Sequence, residues 1–227
     1  MKIRAIITGA SGMVGEGVLH ECLHHNDVED VLVVGRRSCG YTHLKLKEIV
    51  HANMYDLSSI EDQLKGYNAC FFCLGMSSVG VKEPEFHKVT YELTMHFANT
   101  VSKLNPGMTF CYVSGSGTNE TGRMMWQRVK GKTETDLMKL PFKQVYNFRP
   151  GLIKANKGSR HTLPLYKWLS WMLPIIKTIA PKSIVTLKQI GEAMINATTK
   201  GYEKKILEVR DIIKLSNPLF SADGGET

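Results

Sequence analysis

Short apolar runs rich in Val, Ile and Phe alternate along the chain with longer segments in which apolar residues recur every three to four positions. The first pattern suits strands buried on both faces and the second amphipathic helices, so the alternation predicts βαβ units around a parallel sheet. Strands are expected at 3–8, 31–35, 48–54, 69–74, 108–114 and 144–149, and helices at 12–25, 58–65, 83–104, 121–139 and 186–199. Asn105-Pro106-Gly107 should stop the third helix, because proline cannot continue it and glycine tolerates the turn. Beyond Arg149-Pro150-Gly151 the alternation ends, and residues 163–180 form an apolar stretch broken by Pro164, Lys167, Pro174 and Lys177. The 227 residues therefore read as one α/β domain with three layers and a central parallel sheet, in which 151–185 form a small C-terminal lobe over a substrate.

Where the first strand gives way to the first helix the chain reads Thr8-Gly9-Ala10-Ser11-Gly12-Met13-Val14-Gly15. Gly9 would permit a tight turn, Gly12 would let backbone approach a pyrophosphate, and Gly15 would let the helix pack on the strand. The uncapped N–H groups of that helix would then face phosphate. Strand before and helix after supply the context that a bare glycine triplet lacks, and the turn reads as the dinucleotide site of a Rossmann fold. At the end of the second strand an acidic residue would hold a ribose 2′-hydroxyl, but the chain has Gly35-Arg36-Arg37. Two guanidiniums can clamp a 2′-phosphate, so NADP(H) is expected over NAD(H). Glu29 and Asp30 precede the strand and lie at the wrong end to take the acidic role.

Charge and cysteine usage add less. The net charge is +8, and between Arg123 and Lys188 there are 14 Lys or Arg against Glu134 and Asp136 alone. A solvated basic surface, an anionic cofactor or substrate, and a membrane or nucleic-acid surface all fit that excess. The five cysteines, Cys22, Cys39, Cys70, Cys73 and Cys111, are odd in number, scattered and set mostly in apolar runs, which suits reduced thiols without disulfides. The opening apolar run is too short for a signal peptide, and a cytoplasmic location is expected.

Thr8 to Gly15, Gly35-Arg36-Arg37, Cys73-Leu74-Gly75, Val129-Lys130-Gly131-Lys132-Thr133-Glu134 and Phe148-Arg149-Pro150-Gly151 together resemble the atypical short-chain dehydrogenase/reductases. Within them the chain is most similar to the Tat-interacting-protein-like oxidoreductases and bacterial relatives often labelled NAD-dependent epimerase-like. The resemblance runs from about residue 3 to about residue 214. It implies an NADP-dependent Rossmann protein with adenine near Asp56-Leu57, cofactor against Leu74-Gly75, and Pro150-Gly151 close to the nicotinamide. It also implies a catalytic Ser after the fifth strand and a Tyr and Lys four residues apart on the next helix, one face of which they would share. Ser114 or Ser116 stands at the serine position and Lys130 at the lysine, where it would touch cofactor ribose, but Trp126 replaces the tyrosine. An indole N–H donates a hydrogen bond yet has no exchangeable proton near neutral pH, so Trp126 cannot do the phenol's work. It would line the nicotinamide pocket or pack under a loop. Tyr112, Tyr146 and Tyr166 are alternative acids that spacing does not support.

Two motifs are set aside on context. His20-Glu21-Cys22-Leu23-His24 matches a zinc-protease pattern, but it falls on the first helix with both histidines facing outward, so no metal site is expected. Cys70-Phe71-Phe72-Cys73 lies in a strand, where residues three apart point to opposite faces. Residues 163–180, with Trp168 and Trp171, could lie on a membrane surface, though a lid over the substrate is the preferred reading. The sequence thus describes an NADP(H)-dependent oxidoreductase acting on a small carbonyl or alcohol, with no nucleic-acid partner. The alternative is a non-catalytic NADP(H) sensor or scaffold with a protein partner, which Trp126 keeps open.

Overall fold

The computed structural model describes residues 1–154 and 184–221. At its centre β1 (Ile3–Thr8) lies between β2 (Val28–Gly35) and β4 (Ala69–Phe72). The sheet grows outward to β3 (Leu46–Val50) on one side and to β5 (Thr109–Val113), β6 (Gln144–Arg149) and β9 (Ile206–Glu208) on the other. All six neighbouring pairs are parallel. The strand order 3-2-1-4-5-6-9 reverses direction between β1 and β4, and a crevice opens there at the carboxyl ends of the strands. The Rossmann architecture read from the sequence is the one observed. A separate parallel pair, β7 (Leu152–Lys154) and β8 (Ile184–Thr186), flanks the residues expected to form the substrate lobe, and 155–183 lie outside the described residues.

The helices are α1 (Met13–His24), α2 (Glu83–His87), α3 (Leu93–Leu104), α4 (Met125–Leu137), α5 (Leu187–Thr199) and α6 (Val209–Leu215). Strand alternation divides them into two layers. Ile3, Ala5 and Ile7 of β1 and Ala69 and Phe71 of β4 enter one core with α1, α5 and α6. Ile6, Cys70 and Phe72 enter the other, with α3, α4 and a 3₁₀ turn at Ser58–Leu64. Cys70 and Cys73 accordingly belong to opposite faces, and all five cysteines are free thiols. In the second core Phe72 meets Phe97 at 5.6 Å and Phe110 at 5.8 Å between ring centroids. Burying each such ring contributes about 1.5–3 kcal/mol. On the other side α1 and α5 pack almost backbone to backbone: a Cβ on Gly17 would stand 2.6 Å from that of Leu187.

Departures from the expected boundaries have local causes. β2 starts at Val28 because the start of β1 offers it a partner, and Asp30 is held there by Arg4 and Lys47. β3 ends at Val50, its pairing spent once β2 ends at Gly35. The helix expected at 121–139 starts only at Met125, where the Gln127 side chain accepts from the Met124 N–H and Asn119 binds the N–H groups of Thr121 and Gly122. α2 and α3 are joined by a π turn, Lys88–Glu92, within the helix expected at 83–104. α3 ends at Leu104 before the Asn105-Pro106-Gly107 stop, and the Asn105 amide ties Gly66, Tyr67 and Leu64 to it.

Candidate active site

The crevice between β1 and β4 is a cleft of about 460 Å³, walled by the glycine turn, the end of β2 and the loop after β4. Gly9 has φ +70°, and a Cβ there would stand 2.7 Å from the backbone of Cys73 and Leu74. β1 and β4 can approach so closely only with glycine at that turn. Thr8 extends the contact, since its hydroxyl oxygen accepts the Leu74 N–H at 3.3 Å. Gly15 meets the turn from the helix side, where a Cβ would be 2.1 Å from the Gly9 carbonyl oxygen. Gly12, in extended conformation, begins α1 with no side chain capping it. The first N–H groups of α1, at Met13, Val14 and Gly15, are left for a ligand. The side chains of Met13 and Val14 are partly buried against the first core.

Ser11, Arg36 and Arg37 are exposed on the cleft wall, with Leu74 and Gly75 opposite. Nothing lies within 4 Å of a Cβ built on Gly75. Neither arginine has an ion-pair partner among the described residues, so both guanidiniums are available to an anion. An uncapped helix start, a glycine cradle and two unpaired guanidiniums fit a nicotinamide dinucleotide. Sequence reasoning missed the remaining wall, Glu85 and Val89 from α2 and the π turn. Their only signal was that the helix after β4 must begin at the carboxyl edge of the sheet.

Other expected contacts fall elsewhere. Asp56 and Leu57 do not line the cleft: the Asp56 carboxylate accepts from the Ser58 N–H and hydroxyl, and Leu57 is core. Those hydrogen bonds hold Asp56 below the usual carboxylate range. The Pro150 carbonyl accepts the Ser116 N–H at 3.1 Å, and Gly151 lines a second, shallower depression with Ser116 and Glu208.

Beyond β5 the structure brings Ser114 and Lys130 together. Lys130 Nζ donates to the Ser114 carbonyl oxygen at 2.9 Å and stands 6.0 Å from the centre of the Tyr112 ring. Burial lowers the Lys130 ammonium to about 8, against an opposing pull from Glu134. The Ser114 hydroxyl is buried and lies 3.0 Å from Thr118 Oγ1. Trp126, one turn before Lys130, donates its indole N–H to Met124 Sδ at 3.1 Å and lays its ring against Gly117. Of the alternative phenols, Tyr112 is buried, Tyr146 is bonded to the backbone of Tyr202, and Tyr166 lies outside the described residues.

Two supports were not anticipated. Glu134 of α4 takes Arg149 of β6 in a two-point pair, 2.6 and 3.0 Å, and Arg149 also reaches Glu208. Arg128 donates to the carbonyls of Gly122 and Arg123 and to Glu83, stapling the loop after β5 to the start of α2. The zinc-protease motif holds no metal geometry: His20 and His24 are exposed, Glu21 is buried, and no His/Cys/Asp/Glu group suited to a metal occurs among the described residues. No described helix is long and apolar enough to cross a membrane.

Comparison with known proteins bears on this geometry. The profile of the NAD dependent epimerase/dehydratase family matches residues 5–136, more than half of the chain. The chain belongs to that family. As an epimerase/dehydratase-family protein it is an NAD(P)-binding Rossmann protein, in line with the resemblance read from its motifs. Curated relatives include Protein FMP52-1, mitochondrial, of Scheffersomyces stipitis, 25% identical over 95% of this chain and 99% of its own length. Protein FMP52, mitochondrial, of Candida glabrata is 28% identical over 70% of this chain and 68% of its own. Protein HTATIP2 of Rattus norvegicus is 25% identical over 66% of this chain and 63% of its own. Among solved structures, UDP-N-acetylglucosamine 4-epimerase from Methanobrevibacter ruminantium superposes with a TM-score of 0.65 at 17% identity, over 92% of this chain and 76% of that one. Bordetella bronchiseptica WbmG, in complex with NAD, gives 0.68 at 13% identity, over 92% and 72%. The expected cytoplasmic location is overturned, since the FMP52 relatives are named as mitochondrial. Free thiols suit any reducing compartment, so the cysteine pattern does not single out the cytosol.

Proposed function

We propose that this epimerase/dehydratase-family protein is an NADP(H)-dependent oxidoreductase acting on a small carbonyl or alcohol. The observation that carries the cofactor reading is the pair Arg36 and Arg37, unpaired among the described residues on the wall of the cleft, where an NAD-preferring protein would present a carboxylate. The glycine turn and the start of α1 would hold the pyrophosphate, the two arginines the 2′-phosphate, and Lys130 the ribose next to the nicotinamide. When bound, the nicotinamide supplies or accepts a hydride. The chain's own part is to bind and orient both reactants and to manage the proton.

Fluorescence titration with NADPH and separately with NADH tests the reading. NADPH should bind the more tightly, and Arg36→Ala should weaken it roughly 10- to 100-fold, the loss of one charge-assisted bond of ~1.5–3 kcal/mol, with NADH little affected. Equal binding of the two, or none, rejects it. The second reading, a non-catalytic NADP(H) sensor with a protein partner, is favoured by one observation, the indole at position 126 with its N–H spent on Met124. NADPH binding without oxidation across a panel of aldehydes and quinones would select it. The names of the FMP52 relatives make the mitochondrion the compartment to test, by fractionation of the source cells.

A further inference from the structure

We propose that Lys130 is the proton-transferring group of this site, delivering a proton from Nζ to the oxygen of a carbonyl substrate. The assignment rests on the oxidoreductase reading above and answers the question that Trp126 raises. With the indole N–H given to Met124 Sδ, position 126 has no proton to transfer. Among the described residues the neighbouring hydroxyls are committed as well. Thr118 Oγ1 gives its hydrogen to the Gly115 carbonyl, so the Ser114 hydroxyl directs its own toward Thr118. Tyr112 is buried in the second core, Tyr146 is bound to the Tyr202 backbone, and Tyr91 donates to Asp136.

Lys130 is placed differently. An ammonium has three N–H donors, and the Ser114 carbonyl takes one of them at 2.9 Å. That bond aims Nζ at the carboxyl end of β5, half-buried, with two donors unclaimed among the described residues for a ribose hydroxyl and a substrate oxygen. Burial brings the ammonium to about 8, so it is charged at neutral pH yet releases a proton far more readily than an exposed lysine. Among the described residues, the charged and titratable groups facing it are Glu134 on its own helix, Tyr112 of β5 and, through Glu134, Arg149 of β6. Glu83 of α2 and Tyr91 of the π turn pack against the opposite side of α4, tied to Arg128 and Asp136. In the reductive direction the carbonyl carbon gains a hydride from the reduced nicotinamide. Its oxygen gains the Nζ proton as the C=O π bond becomes a C–O single bond. The products are an alcohol, oxidised nicotinamide and neutral Lys130, which regains its proton from water.

The test compares wild type with Lys130→Arg and Lys130→Met. NADPH binding is read by fluorescence, the Lys130 resonance by NMR of ε-¹³C-lysine assigned by its absence from the Arg variant, and NADPH oxidation with benzaldehyde and menadione across the alkaline range. Expected results are a titration midpoint near 8, a wild-type rate falling about tenfold per pH unit above it, and a loss of roughly 100-fold or more in both variants, with the Arg variant still binding NADPH. A midpoint at the ordinary lysine value, or a Met variant that keeps the rate and its alkaline fall, overturns the assignment while leaving the cofactor reading intact. Wild type that fails to bind NADPH overturns the oxidoreductase reading itself, and the assignment with it.

Discussion

A methyl group on Gly15 would stand 2.1 Å from the carbonyl oxygen of Gly9, whereas one on Gly12 would stand 3.3 Å from the same atom. The first distance cannot be relieved without parting α1 from β1; a few tenths of an ångström relieve the second. Gly15→Ala is therefore expected to lose several kcal/mol of stability, by analogy with other overpacked contacts, which typically cost about 1–3 kcal/mol where flexible side chains can move. Gly12→Ala should melt within a few degrees of wild type and yet bind NADPH poorly, because its methyl would stand in the path proposed for the pyrophosphate. Equal melting of the two variants would contradict this division of labour. Lys130 carries a second prediction of the same scale. Its folded value, lowered to about 8, lies below the 10.5 of an unburied lysine, so the unfolded chain binds the proton more tightly between those values. The folded state bears the cost of the buried charge below pH 8 and is relieved of it as pH rises toward 10.5. Lys130→Met should accordingly be more stable than wild type at neutral pH, with the gap closing through pH 8–10 in urea melts.

At the scale of elements, Arg128 joins the loop between β5 and α4 both to its own helix and to α2, beside the bonds that Gln127 and Asn119 make within it. Arg128 spans 3.2 and 2.8 Å to the carbonyls of Gly122 and Arg123 and 2.8 Å to Glu83. The exposed pair with Glu83 contributes little by itself, but the forked guanidinium also closes the loop onto its helix. Arg128→Ala is expected to cost ~1–2 kcal/mol and to speed amide exchange in 115–124. Arg128→Lys should not restore protection, because an ammonium lacks the planar fork; full protection in that variant would show the loop to be held by other contacts. This staple was not legible in the sequence, where an Arg on a helix reads as solvated charge, and the same holds for the Glu134–Arg149 pair. Legible were the elements whose signal is local: β1, α1, the stop at Asn105 and the glycine turn each follow from adjacent residues. β9 was missed because three residues, Ile206-Leu207-Glu208, carry no periodicity, and β6 is what makes them a strand. The π turn was missed because one extra residue per turn leaves the apolar pattern of 83–104 nearly unchanged.

At the scale of the molecule, the cleft is assembled from segments that the chain keeps far apart: the turn after β1, Arg36 and Arg37 after β2, Leu74 and Gly75 after β4, and Glu85 and Val89 from the helix beyond. The first two were legible because each ends a strand whose place in a doubly wound sheet is fixed by topology, and Leu74 and Gly75 were expected there only through the family resemblance. The wall from α2 depends on how a helix leans, which no local pattern records. A ligand that bridges these segments must stabilise the folded chain as a whole. NADPH at 100 times its dissociation constant contributes about 2.7 kcal/mol, and for a domain of this length that corresponds to a rise in Tm of roughly 5–10 °C. Cys73 gives an independent reading of the same event. It lies on the cleft wall half-buried, and burial pushes its thiol up to about 12, so alkylation should be slow at pH 8, faster as pH rises, and slower again with NADPH bound. Replacing Arg36 and Arg37 together by Ala should shrink the NADPH-induced rise in Tm to that given by NADH and abolish the cofactor's preference in protecting Cys73. A double variant that still prefers NADPH in both measurements would mean that other residues read the 2′-phosphate.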